Sequence, residues 1–370
     1  MHPTNQGLQT CFYFSFLVVG DSNMLEKGQL PSEILASMNT SGQPVRFNLT
    51  DYFIDRHIRE GSAGEPALRC AEHVHTYGDL AADVCRAGNG LLQLGLQEEQ
   101  RVLLVLPDCP EFVIAYFAVM KIGGVAVPTT NFARTADYEY FLRESKARIL
   151  IVHSTVFSEI AAALSEQRYL RHVIVVGERQ TGHILWDEWL AGNSPELRPA
   201  ETSGDDVAFW LWTSGSTGRP KAAVHLHYDW IYCCRNYAVE VLGITTTDIT
   251  FSSSKLFHAY GLGNGLMFPF YVGASAILLT SKAQARAVLD VLREPGHRFF
   301  SPFRHCMHRC FKRQTKNRTA WIASDLQFQL PSHCLPKFTA GFTVGLEWKF
   351  STESGPPRHC TFTYRHGQAT

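Results

Sequence analysis

Between residues 101 and 279 the chain alternates short, continuous apolar runs with longer stretches whose apolar residues recur every three or four positions. The runs at 101–106, 124–128, 148–153, 172–176, 207–212 and 274–279 are aliphatic-rich and read as buried strands. Stretches 77–94, 110–122, 136–146 and 281–293 have helical length and spacing, and Pro110 suits a first helical turn. Strand and helix in alternation predict an α/β fold built on a mostly parallel sheet with helices on both faces. Sheets of this kind bind ligands at the carboxyl ends of their strands.

At 370 residues the chain can hold two domains of ordinary size. Lys plus Arg equals Asp plus Glu at 34 each, so no global field attracts nucleic acid or an acidic membrane surface. A small-molecule partner is therefore expected. The 10 cysteines lack framework spacing and follow no signal-peptide pattern, which predicts a reducing, cytoplasmic setting. The apolar run at 11–20 is too short to span a bilayer, and no Lys or Arg precedes it.

Composition changes sharply near the end. Residues 299–370 carry ten Lys or Arg against three acids, hold 4 of the 10 Cys and 9 of the 24 Phe, and keep neither period for long. The expected organisation is a disordered leader at 1–45, a first α/β subdomain at 46–206, a second, partial one at 207–294, and a tail at 295–370 that is not a packed domain.

After the apolar run at 207–212 comes Thr213-Ser214-Gly215-Ser216-Thr217-Gly218-Arg219-Pro220-Lys221. Four hydroxyls and two glycines in six residues make a loop whose backbone amides can approach phosphate oxygens. Lys221 adds a positive charge where a leaving pyrophosphate would gather negative charge. Pro220 before the lysine excludes the Walker loop. On composition alone the stretch reads equally well as a solvated loop.

Other candidates have plainer readings. His225 and His227 sit two apart with no Cys or acid completing a metal set, so a structural role is expected and no metal site is assigned. Cys233 and Cys234 are adjacent, the wrong spacing for zinc or redox chemistry, and read as packing residues. Tyr260 on spacing alone is a core aromatic.

The order Thr-Ser-Gly-Ser-Thr-Gly-x-Pro-Lys resembles the signature loop of the adenylate-forming superfamily, with Ala222 where that family usually has glycine. Within it the chain is similar to benzoate-CoA and 4-hydroxybenzoate-CoA ligases from about 46 to 294. The segments carrying the likeness are Phe47-Asn48, Asp51-Tyr52-Phe53, Thr76-Tyr77-Gly78-Asp79-Leu80, 104–112, Val224-His225-Leu226-His227 and Lys255-Leu256-Phe257-His258-Ala259-Tyr260-Gly261-Leu262-Gly263-Asn264.

The resemblance implies the front part of an acyl-CoA synthetase-like fold and an AMP-forming acid-thiol ligase using ATP, Mg²⁺, coenzyme A and a benzoate-like acid. It implies ATP binding by Thr213, Ser214, Gly215, Ser216, Thr217, Gly218 and Lys221, with Thr217 and Lys221 in the chemistry. His258, Ala259, Tyr260 and Gly261 would line the acid pocket. His258 stands where the family commonly has an aromatic residue.

The family also needs a later Ser/Thr-Thr-Glu element for Mg²⁺, a ribose-binding Asp and a C-terminal domain bearing a catalytic lysine. Ser351-Thr352-Glu353 follows Lys349-Phe350 and lacks the expected Gly-x-Gly approach. When the tail is back-translated and read one frame over from Gly296, it resembles the family's continuation, including Val-Pro-Thr-Leu-Tyr-Ala and Gly-Ser-Thr-Glu. The tail is accordingly read as the product of a frameshift after about residue 294, with poor solubility and no ligase turnover expected. A competing reading makes it a metal module through His305, Cys306, Cys310, His333, Cys334 and Cys360, whose spacings fit no standard zinc pattern.

Overall fold

The computed structural model describes residues 46–165, 167–213, 218–281, 288 and 291, together with the backbone of 297–300. The leader at 1–45, nearly all of the helix expected at 281–293, and the tail beyond 300 lie outside the described residues. The strands in chain order are β1 (Pro66–Cys70), β2 (His73–Thr76), β3 (Arg101–Val105), β4 (Val125–Pro128), β5 (Ile149–His153) and β6 (His172–Val176). They continue with β7 (Ile184–Leu185), β8 (Val207–Thr213), β9 (Lys221–Leu226), β10 (Ile249–Ser252), β11 (Ser275–Leu278) and β12 (His297–Phe300).

These strands form two sheets. The larger has the order β7-β6-β5-β3-β4-β8-β9 and is parallel except for β9, which runs antiparallel to β8. The smaller has the order β12-β10-β11-β1-β2 and is parallel except for β2. The α/β class and the six aliphatic strands follow the sequence pattern.

The expected boundary between 206 and 207 does not separate the sheets. β8 and β9 complete the sheet built from 101–185, while β1 pairs with β11 through Leu68 and Ala276. Hydrophobic periodicity identifies a strand but carries no label for its partner.

The Pro110–Lys121 helix explains how two sheets share one core. Every residue from Phe112 to Lys121 is buried, so no face of this helix is amphipathic in the usual sense. A helix apolar all round belongs in the interior. Phe117 stacks on Phe53 at 6.5 Å and on Phe270 at 5.9 Å, linking the Asp51–Asp55 turn to the Phe268–Val272 helix. Removing such a ring costs about 3–5 kcal/mol.

At the end of that helix Lys121, 1% exposed, pairs with Asp55 at 2.6 Å, and the helix dipole favours its charge there. The Tyr77–Gln93 helix begins at a capping box in which the Thr76 hydroxyl accepts the Asp79 amide and Asp79 accepts the Thr76 amide. Its buried stripe of Leu80, Val84, Ala87 and Leu91 faces the same core.

Several strands escape the pattern. β2 is exposed or half-buried throughout, and β9 carries Lys221 and His225 at an edge. β10 interrupts its apolar Ile249 and Phe251 with Thr250 and Ser252. Edge strands and strands with interspersed hydroxyl residues lack the continuous apolar run that marks a buried one.

Candidate functional site

The stretch from Thr213 to Lys221 joins β8 to β9. Thr213 faces Lys221 across the antiparallel ladder, and its hydroxyl donates to the Lys221 carbonyl at 3.1 Å. Both residues are exposed. Ser214, Gly215, Ser216 and Thr217, expected to bind ATP, lie outside the described residues. Gly218 has φ +112°, and nothing lies within 4 Å of where its β-carbon would stand. Glycine is required there by backbone conformation rather than by crowding.

Neighbouring aromatics hold the hairpin. The Tyr140 hydroxyl donates to the Pro220 carbonyl at 2.7 Å, and the Arg219 guanidinium lies 5.2 Å from the Tyr140 ring centroid. Trp212 Nε1 donates to the buried Thr129 hydroxyl at 3.1 Å, tying the end of β8 to the end of β4.

The second part of the site follows β10. His258 is extended and leads into the short Ala259–Leu262 helix, where its carbonyl accepts the Leu262 amide at 2.8 Å. The Asn264 side chain donates to the Tyr260 carbonyl at 2.8 Å. Gly261 is tight against the preceding turn: a β-carbon would overlap the carbonyl oxygens of Lys255 and Ser254. Phe257 packs against His258, with ring centroids 4.3 Å apart, and meets Phe132 edge-on at 6.2 Å.

Burial lowers the His258 pKa and raises that of Tyr260. At neutral pH both rings are therefore uncharged.

Thus Thr213, Gly218 and Lys221 share one hairpin, and His258, Ala259, Tyr260 and Gly261 share one turn. The segment just past β4 connects them, since Thr129 holds Trp212 and Phe132 meets Phe257. Sequence reading missed Thr129 and Phe132. Their available signal was position immediately beyond a predicted strand.

The histidines part company. His225 stacks on Phe209 at 4.7 Å with Nδ1 2.9 Å from Asp229 Oδ2, whereas buried His227 accepts the Leu49 amide on Nδ1 at 3.0 Å. Cys234 is buried, with its thiol 3.6 Å from the Met267 carbonyl. Among the described residues no three His, Cys, Asp or Glu side chains cluster to hold a metal ion. The alternative ligands His305, Cys306, Cys310, His333, Cys334 and Cys360 lie outside the described residues.

A two-sheet α/β fold with a glycine- and hydroxyl-rich hairpin turn defines the class, and the chain belongs to the AMP-binding enzyme family, which matches residues 55–340. It is 38% identical over 251 residues to a benzoate–CoA ligase of Thauera aromatica, covering 68% of this chain and 47% of that protein. A 4-hydroxybenzoate–CoA/benzoate–CoA ligase of Rhodopseudomonas palustris is 35% identical over 252 residues, covering 68% of this chain and 46% of that one.

Among solved structures, an anthranilate CoA ligase in complex with anthranoyl-AMP superposes with TM-score 0.64 at 32% identity, covering 69% of this chain and 49% of the other. A benzoate CoA ligase from Burkholderia xenovorans LB400 gives 0.62 at 34%, covering 67% and 48%. The chain spans about half the length of the relatives it matches. The family match also runs past residue 294, beyond the stretch where the benzoate-ligase motifs end.

Proposed function

We propose that the chain belongs to a ligase that activates a benzoate-like aromatic acid with ATP and passes it to coenzyme A, with turnover impaired in this chain by its altered tail. A carboxylate oxygen would attack the α-phosphorus of ATP, expelling pyrophosphate. The thiol of coenzyme A would then attack the acyl carbon, lose its proton and release AMP. The first step joins two anions, so charge neutralisation is its main requirement.

Lys221, Thr213, the amide of Gly218 and the loop 214–217 would hold the phosphates, with Mg²⁺ as the accompanying cation. His258, Ala259, Tyr260 and Gly261 would receive the ring. The observation supporting this reading is that the short segment past β4 contacts both elements, Thr129 through its bond to Trp212 and Phe132 through its ring contact with Phe257. The five described cysteines are free thiols, in keeping with a cytoplasmic setting, and among the described residues no helix is long and apolar enough to cross a membrane.

A second reading is favoured by the tail, where Ser351-Thr352-Glu353 lacks the family's glycine approach. In it the chain is catalytically dead and retains only the binding of nucleotide or acyl-adenylate. One experiment separates the two: purified chain is given ATP, Mg²⁺, benzoate and coenzyme A, and AMP and benzoyl-CoA are quantified chromatographically. Benzoate-dependent AMP supports the ligase. Binding of a benzoyl-adenylate analogue without AMP formation supports the second reading, and absence of both overturns each.

A further inference from the structure

The aromatic turn is anchored by a pair of charges that the proposed chemistry does not use. Asp108 lies in the loop after β3, and its Oδ1 accepts the Leu256 amide at 3.0 Å. Its Oδ2 lies 3.2 Å from Lys255 Nζ, with the two side chains only 7% and 11% exposed. The same ammonium donates to the carbonyls of Leu279 at 2.7 Å and Ser281 at 2.8 Å, just past β11. One lysine therefore gathers the carboxyl ends of β3, β10 and β11, which belong to two sheets.

The turn is built directly on this lysine. The Lys255 carbonyl accepts the His258 amide at 3.0 Å, and Gly261 packs against the Lys255 and Ser254 carbonyls too closely to admit a β-carbon. Displacing Lys255 must displace His258 to Gly261 with it. Burial pushes the Asp108 carboxyl up, while the Lys255 ammonium opposes that rise. A buried ion pair adds little net stability over an apolar pair, but loss of one member leaves the other charge uncompensated. Such a pair is a poor stabiliser and a good positional lock.

We infer that Asp108 and Lys255 are positioning residues for the aromatic-acid turn, setting where Phe257 to Gly261 stand above the strand ends and thereby the affinity for the aromatic ring. The inference rests on the acid-pocket assignment proposed above. Neither side chain needs to touch the acid; both act through the Lys255–Leu256 backbone.

The test uses the full 370-residue chain and two readouts, backbone hydrogen exchange and calorimetric titration with benzoate and with AMP. Asp108→Asn keeps an acceptor for Leu256 while removing the charge. It is expected to speed exchange at the Leu256, His258 and Leu262 amides and to weaken benzoate binding by about tenfold, equivalent to about 1.4 kcal/mol. Exchange in β8 and β9 and affinity for AMP should stay at wild-type values. Lys255→Arg, which keeps the charge, should recover much of what Lys255→Met loses.

Unchanged exchange in the turn overturns the inference, as does acceleration spread through both sheets with benzoate and AMP affinity falling together. Confined acceleration in a chain whose wild type binds no aromatic carboxylate overturns the acid-pocket reading instead, and the claim on ring affinity with it.

Discussion

Thr213 and Lys221 stand opposite one another at the last rung of the β8–β9 ladder, joined by the Thr213 hydroxyl and the Lys221 carbonyl at 3.1 Å. The bond uses only the backbone of Lys221. Its ammonium sits on an exposed residue at the mouth of the glycine-rich turn.

Lys221→Ala should therefore change folding stability by no more than about 0.5 kcal/mol, as exposed substitutions do. Loss of a charged hydrogen bond of about 1.5–3 kcal/mol should weaken ATP binding roughly ten- to hundredfold. Urea denaturation and calorimetric titration with MgATP check the two halves. Wild-type ATP affinity in the variant would remove Lys221 from the phosphate site.

Gly218 at φ +112° has space for a methyl group but not the backbone freedom to carry one. Gly218→Ala is expected to cost about 1–2 kcal/mol or to force the turn into another shape. ATP affinity should fall in either case. A variant as stable as wild type with unchanged nucleotide affinity would show that the turn tolerates a different backbone.

Tyr260→Ala should weaken benzoate binding and spare AMP, because Tyr260 belongs to the aromatic turn and not to the β8–β9 hairpin. Loss of one ring contact is worth about 0.5–1.5 kcal/mol. Fluorescence or calorimetric titrations with each ligand read the difference. Equal loss of both affinities would mean that the substitution damaged the fold, and no loss would take Tyr260 out of the pocket.

His227 supplies a pH dependence with a definite sign. Burial lowers its pKa from 6.5 to about 4, and protonation would break its bond to the Leu49 amide. Between these values the unfolded chain binds more protons than the folded one, so stability falls as pH drops from 6.5 towards 4 and is unaffected by this group above 6.5. The slope from one such group cannot exceed about 1.4 kcal/mol per pH unit. His227→Asn, with an oxygen acceptor and no titration, should lose less stability than wild type between pH 7 and pH 5 in urea denaturation. Parallel curves for the two proteins would contradict the assignment.

Much of the fold was legible because buried parallel strands are continuous apolar runs. The runs at 101–106, 148–153 and 172–176 became β3, β5 and β6 with little change of boundary. β2 and β9 were not legible because they are exposed at sheet edges, nor was β10, where Ile249 and Phe251 alternate with Thr250 and Ser252. The proposed phosphate site rests on the residue order from Thr213 to Lys221 and the proposed acid pocket on the order from Lys255 to Asn264, each contiguous in the chain.

Thr129, Phe132 and Asp108 carry no such local signature; their importance comes from what they meet. Asp108 falls within the 104–112 stretch that carries the family likeness, yet nothing in that spacing shows that its carboxylate holds the backbone 148 positions away.

The sequence by itself determined the α/β class, the buried strands with continuous apolar runs and the glycine that the β8–β9 turn demands, because these depend on local periodicity and backbone freedom. Only the tertiary structure decided that β1 lies beside β11, that β8 and β9 complete the larger sheet, and that one lysine ties both sheets beneath the aromatic turn. Those choices depend on which distant surfaces fit together and which buried charges find partners, and neither is written in the spacing of neighbouring residues.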